Sequence, residues 1–109
     1  MSVDKYLDRR FHRQNYNCLD FVCDVWKDEV GEDLRPILYK HTGCRRSFVE
    51  LEAPSEPCIV LLRRSDHTPH VGIYLRGRIL HIHELGVEFF PLDVVAQQYS
   101  SVKFYNVRD

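Results

Sequence analysis

Residues 15–28 read NYNCLDFVCDVWKD and predict a helix over 18–30 that carries a cysteine, Cys18, in its first turn. Asn17 is a suitable N-cap, because its side chain can accept hydrogen bonds from the unpaired amides of a first helical turn. Gly31 suits the C-terminal cap. The apolar stripe has helical spacing and comprises Leu19, Phe21, Val22, Val25, Trp26 and Val30. We therefore expect one face of this helix to pack against the rest of the chain.

The composition indicates one globular domain over residues 1–109. Hydrophobic residues make up 44% of the chain, charged residues make up 28%, and the formal net charge is −1. This balance gives no reason to expect a nucleic-acid partner. The start, MSVDKYLDRRFHRQ, lacks the apolar segment of a signal peptide, and no run reaches the roughly 18 apolar residues that cross a membrane. We expect cytoplasmic synthesis, no membrane insertion and four free thiols.

The rest of the sequence predicts mostly strands. The predicted elements are a buried strand over 58–63, a hairpin over 70–83 that turns at Arg76-Gly77-Arg78, a helix over 92–98 opened by Pro91, a strand over 101–107, and short helices over 3–11 and after Pro36. Residues 32–56 otherwise carry no clear periodic pattern. One firm helix followed by mostly antiparallel strands is the pattern of an α+β domain.

The position of Cys18 suits a nucleophile. The thiolate is the reactive form of cysteine, and a helix N-terminus or a neighbouring imidazolium favours it. The amides of the first turn carry about half a positive charge. They can also donate to an oxyanion that forms beside the thiol. The remaining requirement is a base.

Histidines of the hairpin can supply that base. In the first strand His70 shares a face with Gly72, because side chains alternate with a period of two. A two-residue turn places His81 and His83 of the second strand on that same face, whichever two residues form the turn. One ring could then accept the thiol proton while another polar group holds it by its far nitrogen. We expect Gly72 to leave room for the cysteine helix to pack close.

Less specific interpretations exist for the same residues. A cysteine outside such a setting is usually a small buried hydrophobe, which is the expectation for Cys23, Cys44 and Cys58. A His/Cys zinc site is the alternative for the cluster that comprises Cys18, His67, His70, His81 and His83. The chain has no recognised zinc spacing, so we expect neither a metal nor another cofactor.

The motifs NCLDFVCDVW and HVGIYLRGRILHI resemble the NlpC-type cysteine peptidases, a family with a papain-like fold. The resemblance implies a cysteine-bearing helix packed on a mostly antiparallel sheet. It assigns the nucleophile to Cys18, the general base to His70 and the orienting residue to His81, with His83 as the alternative third residue. Phe11 or Tyr16 would be the aromatic residue that lines the site. Asn17 stands where the family commonly carries an aspartate.

The order of the motifs separates two similar families. In the lecithin:retinol acyltransferase-like family the histidine precedes the cysteine, whereas here the cysteine comes first. The single-domain form most resembles phage tail-assembly peptidases and phage cell-wall hydrolases. The resemblance therefore implies a peptidase or amidase that cleaves peptide stems of bacterial peptidoglycan, with phage tail proteins as further partners and the virion tail as a location. The alternative is a structural tail-assembly subunit with weak or partner-directed activity.

Overall fold

The computed structural model describes residues 3–65 and 67–108. After a 3-10 turn at Asp4–Tyr6, the helices are α1 (Cys18–Val30), α2 (Arg35–Leu38) and α3 (Leu92–Ala96). The strands are β1 (Ser47–Leu51), β2 (Cys58–Arg63), β3 (His70–Leu75), β4 (Arg78–His83), β5 (Gly86–Pro91) and β6 (Ser101–Arg108). None of the helices in the described ranges has both the length and the apolar character needed to cross a bilayer.

The strands form one antiparallel sheet in the order β1-β6-β2-β3-β4-β5. This confirms the α+β class, with the cysteine-bearing helix preceding the sheet. Strands β3 and β4 are joined by a two-residue turn, in which Arg76 and Gly77 have φ angles of 53° and 78°. Turns with both central residues in the left-handed region match the twist of a hairpin. The hairpin register predicted from alternation therefore has the expected parity.

The two faces of the sheet are covered by different helices. On one face, Phe21, Val22, Val25 and Trp26 of α1 pack with strand residues that include Ile73, Leu80 and Ile82. On the other face, Val95 of α3 packs with Val60, Leu62 and Ile79. Successive residues of one strand thus enter different cores, as the strand period of two requires.

Helix α1 has the predicted bounds and both predicted caps. The Asn17 side chain accepts hydrogen bonds from the Leu19 and Asp20 amides, at 3.0 and 3.1 Å. The Asp20 carboxylate accepts in return from the Asn17 amide at 3.0 Å, which completes a capping box. Gly31 ends the helix with a φ of 84°, in the left-handed region that favours glycine.

The first predicted helix is much shorter in the structure. The helix expected over 3–11 is only the 3-10 turn, where Tyr6 is buried and donates to the carboxylates of Asp28 and Glu29. This anchor fixes Tyr6 against the end of α1, whereas Leu7 remains 45% exposed.

Two further helices differ from their predicted bounds. Helix α2 begins at Arg35, one residue before Pro36. Helix α3 ends at Ala96 instead of residue 98.

Two strands, β1 and β5, were missed in the sequence. Both are edge strands of the sheet and have no fully buried residue. Their side chains therefore show neither a continuous apolar run nor strict alternation, which are the two signals of a strand. Pro91 closes β5 and precedes α3 as its N-cap instead of being its first helical residue.

Candidate active site

Cys18 and His70 line one cleft of about 790 Å³, together with Phe11, Asn17 and His83. Cys18 is the first residue of α1, and His70 is the first residue of β3. Both side chains are partly buried. The structure therefore brings the expected nucleophile and the expected base to one open site.

The two residues meet at one end of the sheet. Helix α1 packs on the face to which Val71 and Ile73 contribute. His70 belongs to the alternate set of β3 and stacks on Tyr99, at 6.4 Å between ring centroids and 5° between ring planes. Tyr99 packs against the opposite core. His70 can share a cleft with Cys18 because it lies at the terminus of its strand instead of its middle.

The start of α1 leaves one amide available beside the thiol. The Leu19 and Asp20 amides donate to Asn17, and the Phe21 amide donates to the Asn17 carbonyl at 3.0 Å. The Cys18 amide makes no hydrogen bond with the residues that the structure describes. An unpaired amide at a helix N-terminus is a suitable donor for an oxyanion.

His70 is held by a second histidine. Its Nε2 lies 2.8 Å from Nδ1 of His81, within hydrogen-bond distance. The sequence left His81 and His83 open as the third residue, and His81 is the one that contacts His70. This bond uses Nε2 of His70 and leaves Nδ1 as the ring nitrogen that can take part in proton transfer.

Burial keeps both rings neutral. It is the main cause that lowers the pKa of His70 to about 4, and the nearby His83 and Arg64 lower it further while Glu88 raises it. Burial also lowers the pKa of His81 to about 3, with His70 and His83 contributing in the same direction. At pH 7 both imidazoles are unprotonated on one nitrogen, which is the form of histidine that can accept a proton.

Gly72 has a different role from the one expected. A Cβ at this position would lie 3.0 Å from each of the Cβ of His81, the Cγ2 of Ile79 and the carbonyl oxygen of Leu80. All three atoms belong to β4, and Gly72 is on the set of β3 residues that faces away from α1. The missing side chain therefore makes room for the neighbouring strand and His81, not for the cysteine helix.

Of the two aromatic candidates, Phe11 lines the cleft and Tyr16 does not. Phe11 lines the cleft beside Cys18. Tyr16 does not line it, because its hydroxyl donates to Asp24 at 2.7 Å and accepts from Arg9 at 2.8 Å. Its ring packs edge-on against Phe21 at 6.5 Å. Tyr16 thus ties the segment before α1 to the side of the helix.

Sequence reasoning missed three neighbours of the histidines. Glu88 of β5, Arg64 after β2 and Tyr99 after α3 line a polar pocket of about 370 Å³ with His70 and His81. Glu88 follows from the β4–β5 pairing, in which His83 is opposite Gly86 and His81 is opposite Glu88, but β5 shows no strand signal in the sequence. Arg64 and Tyr99 lie in connections, where no periodic pattern marks them.

The remaining cysteines differ from Cys18 in their surroundings. Cys23 and Cys58 are buried, and burial raises the pKa of both thiols, that of Cys23 to about 11. Cys44 is half-buried, and its Sγ donates to the carbonyl of Arg46 at 3.8 Å. All four cysteines are free thiols. A buried thiol with a raised pKa is a poor nucleophile.

A metal site is not formed by the described histidines. Within residues 3–65 and 67–108, no group of three or more His, Cys, Asp or Glu side chains is arranged to hold a metal ion. His67, one member of the zinc alternative, is exposed and its Nδ1 lies 3.1 Å from the Ser65 carbonyl oxygen.

Comparisons with protein-family models, with curated proteins and with solved structures give no significant match to this chain.

Proposed function

We propose that this chain is a thiol hydrolase with an NlpC-type, papain-like fold, which cleaves an amide bond in the peptide stem of bacterial peptidoglycan. The observation that carries the proposal is the shared cleft of Cys18 and His70, with His70 held by His81 at 2.8 Å. A cysteine at a helix start, a neutral histidine beside it and a second histidine behind that ring are the parts of a nucleophile–base–orienter set.

These positions support the following reaction. The Cys18 thiol gives its proton to Nδ1 of His70 while sulfur attacks the substrate carbonyl carbon. The resulting oxyanion accepts a hydrogen bond from the Cys18 amide. Collapse of this intermediate breaks the carbon–nitrogen bond, and His70 returns the proton to the leaving amine. Water, deprotonated by His70, then attacks the thioester and releases the acid and the thiol.

The resemblance to phage peptidases supplies the proposed substrate and location. The motif NCLDFVCDVW followed by HVGIYLRGRILHI supports a phage-encoded hydrolase that is carried on the virion tail and acts on cell-wall peptides. The proposal needs no cofactor, since the nucleophile, the base and the oxyanion donor all come from the chain.

The test combines turnover with labelling of the thiol. Peptide stems isolated from bacterial peptidoglycan are incubated with the wild-type chain, with Cys18→Ala and with Cys44→Ala, and new amino groups are quantified by mass spectrometry. Cys18→Ala should abolish cleavage. Cys44→Ala is the matched control, because Cys44 is also a half-buried free thiol, and it should retain wild-type turnover.

Alkylation tests the reactivity of Cys18, and its dependence on His70, separately from turnover. At pH 7, iodoacetamide should modify Cys18 faster than the other three cysteines, and His70→Ala should remove this advantage. Equal alkylation of all four cysteines in the wild type, together with absence of cleavage, would exclude the hydrolase. The tail-assembly subunit with an inert Cys18 would then be the better interpretation.

A further inference from the structure

Glu88 lies at the far end of the histidine pair. It is paired with His81 across β4 and β5. Its Oε2 is 3.0 Å from Nε2 of His83, and its Oε1 is 3.3 Å from Nε2 of His81. His81 is only 2% exposed, and its Nε2 makes no well-directed hydrogen bond within the described part of the chain. The carboxylate is therefore an acceptor that lies 3.3 Å from a buried ring nitrogen.

The charge of Glu88 distinguishes the two tautomers of His81. If Nε2 of His81 carries the proton, it faces a carboxylate that accepts, and Nδ1 is left to accept from His70. If Nδ1 carries the proton, a lone pair on Nε2 faces the negative charge, which is repulsive. A buried neutral imidazole takes its tautomer from such contacts.

The tautomer of His81 also determines the tautomer of His70. When Nδ1 of His81 accepts, Nε2 of His70 must donate across the 2.8 Å contact. Nδ1 of His70 then carries a lone pair. In the opposite arrangement Nε2 of His70 accepts from His81, so Nδ1 is protonated and cannot take a proton from a thiol.

We propose that Glu88 is a positioning residue that fixes His81, and through it His70, in the tautomer whose free lone pair is on Nδ1 of His70. Its consequence for hydrolysis rests on the proposed function, whereas the tautomer itself does not. The arrangement extends the site by one strand, from the cleft that Cys18 and His70 line, through His81, to Glu88 on the edge strand β5.

The other charged or titratable groups around the pair come from several elements. Arg64 follows β2, His83 lies on β4, and Tyr99 follows α3. Arg64 and His83 lower the pKa of His70, whereas Glu88 raises it. Among these groups the Glu88 carboxylate is the one that stabilises the imidazolium formed when His70 accepts a proton.

The tautomers can be read directly by nitrogen-15 NMR of the histidine rings at pH 7. In the wild type, Nε2 of both His70 and His81 should be protonated and both Nδ1 atoms unprotonated. Glu88→Gln keeps the shape of the side chain, but its amide can present either an acceptor or a donor. We expect His70 to shift toward the Nδ1-protonated form in Glu88→Gln, and further in Glu88→Ala.

Glu50→Gln is the matched control. Glu50 lies on β1, the opposite edge of the sheet, and forms a surface ion pair of 3.7 Å with Lys103. Its removal should leave the ring signals unchanged. Unchanged His70 and His81 tautomers in both folded Glu88 variants, or the Nδ1-protonated form in the wild type, would overturn the proposal.

A kinetic readout separates this inference from the proposed function. Alkylation of Cys18 at pH 7 should slow by about 10- to 100-fold in Glu88→Gln, the range known for removing the outer partner of a metal-bound histidine. If the wild type cleaves no peptidoglycan but the tautomers still depend on Glu88, only the proposed function fails. If the wild type cleaves and Glu88→Gln changes neither tautomer nor alkylation, only this inference fails.

Discussion

The two faces of the β3–β4 hairpin carry different kinds of residues. Toward α1 the hairpin presents apolar side chains, among them Ile73, Leu80 and Ile82. Toward α3 the same strands present His70 and His81 at one end, whereas Ile79 packs into the second core nearer the turn. One face is thus a continuous core, and the other changes from core to polar pocket along the length of a strand.

This difference separates the residues that pack α1 from the residues that line the proposed active site. A substitution on the α1 face also alters the packing of the helix that carries Cys18. A substitution on the histidine face alters the proposed proton-transfer groups while α1 stays packed. Substitutions on the two faces should therefore have separable effects on the free energy of unfolding and on the reactivity of Cys18.

The largest expected effect on stability comes from the α1 face. Leu80 is completely buried there, and Leu80→Ala should lower the free energy of unfolding by about 2–5 kcal/mol, through lost burial and the cavity left behind. Urea denaturation measures the loss. In the fraction that remains folded, the preference of iodoacetamide for Cys18 should persist, because the histidine pair is untouched.

Leu85→Ala is the control for this substitution. Leu85 is 93% exposed, beyond the end of β4, so its truncation should change stability by less than about 0.5 kcal/mol. Loss of the Cys18 preference in folded Leu80→Ala chains would contradict the separation of the two faces.

A smaller loss of stability is expected from Gly72→Ala, which lies on the histidine face of the hairpin. Gly72→Ala places a methyl group 3.0 Å from the Cβ of His81 and from the Leu80 carbonyl oxygen, so β4 must shift. Overpacking of this kind costs about 1–3 kcal/mol. Gly72 is also the one glycine of five without a positive φ, so the substitution adds no left-handed strain. The smaller backbone entropy of alanine in the unfolded chain offsets part of the crowding cost. The shift should lengthen the His70–His81 contact.

Two measurements check the effect of Gly72→Ala. Urea denaturation gives the change in stability, and nitrogen-15 NMR of the histidine rings reports the contact between them. A variant with wild-type stability and unchanged ring signals would show that the two strands have more room than the structure indicates.

Local patterns predicted the helix that carries Cys18 and the parity of the hairpin. Asn17 and Gly31 are caps that act within a few residues, and the alternation of β3 and β4 is likewise local. The contact between His70 and His81 needed the actual register of the strands. Glu88 could not be identified without recognising β5, because its position opposite His81 depends on strand pairing at an edge where burial gives little signal.

The histidine face should also make the fold sensitive to acid. The pKa is about 4 for His70 and about 3 for His81, against about 6.5 in an unfolded chain. Between pH 6.5 and 4 the unfolded chain therefore binds more protons than the folded chain. This contribution to stability is fully present above pH 6.5 and is lost as the pH falls toward 4, by about 1.4 kcal/mol per pH unit for each proton taken up.

The change in the free energy of unfolding with pH, and not its absolute value, shows whether the His81 ring is buried and neutral. Urea denaturation at pH 7, 6 and 5 should give a shallower loss of stability for His81→Gln than for the wild type, because one proton fewer is taken up on unfolding. His41→Gln is the control, because His41 is exposed and lies outside the histidine pair. Equal slopes for wild type and His81→Gln would mean that His81 is not held neutral by burial, and the polar end of the hairpin would then be open to water instead of forming a buried extension of the core.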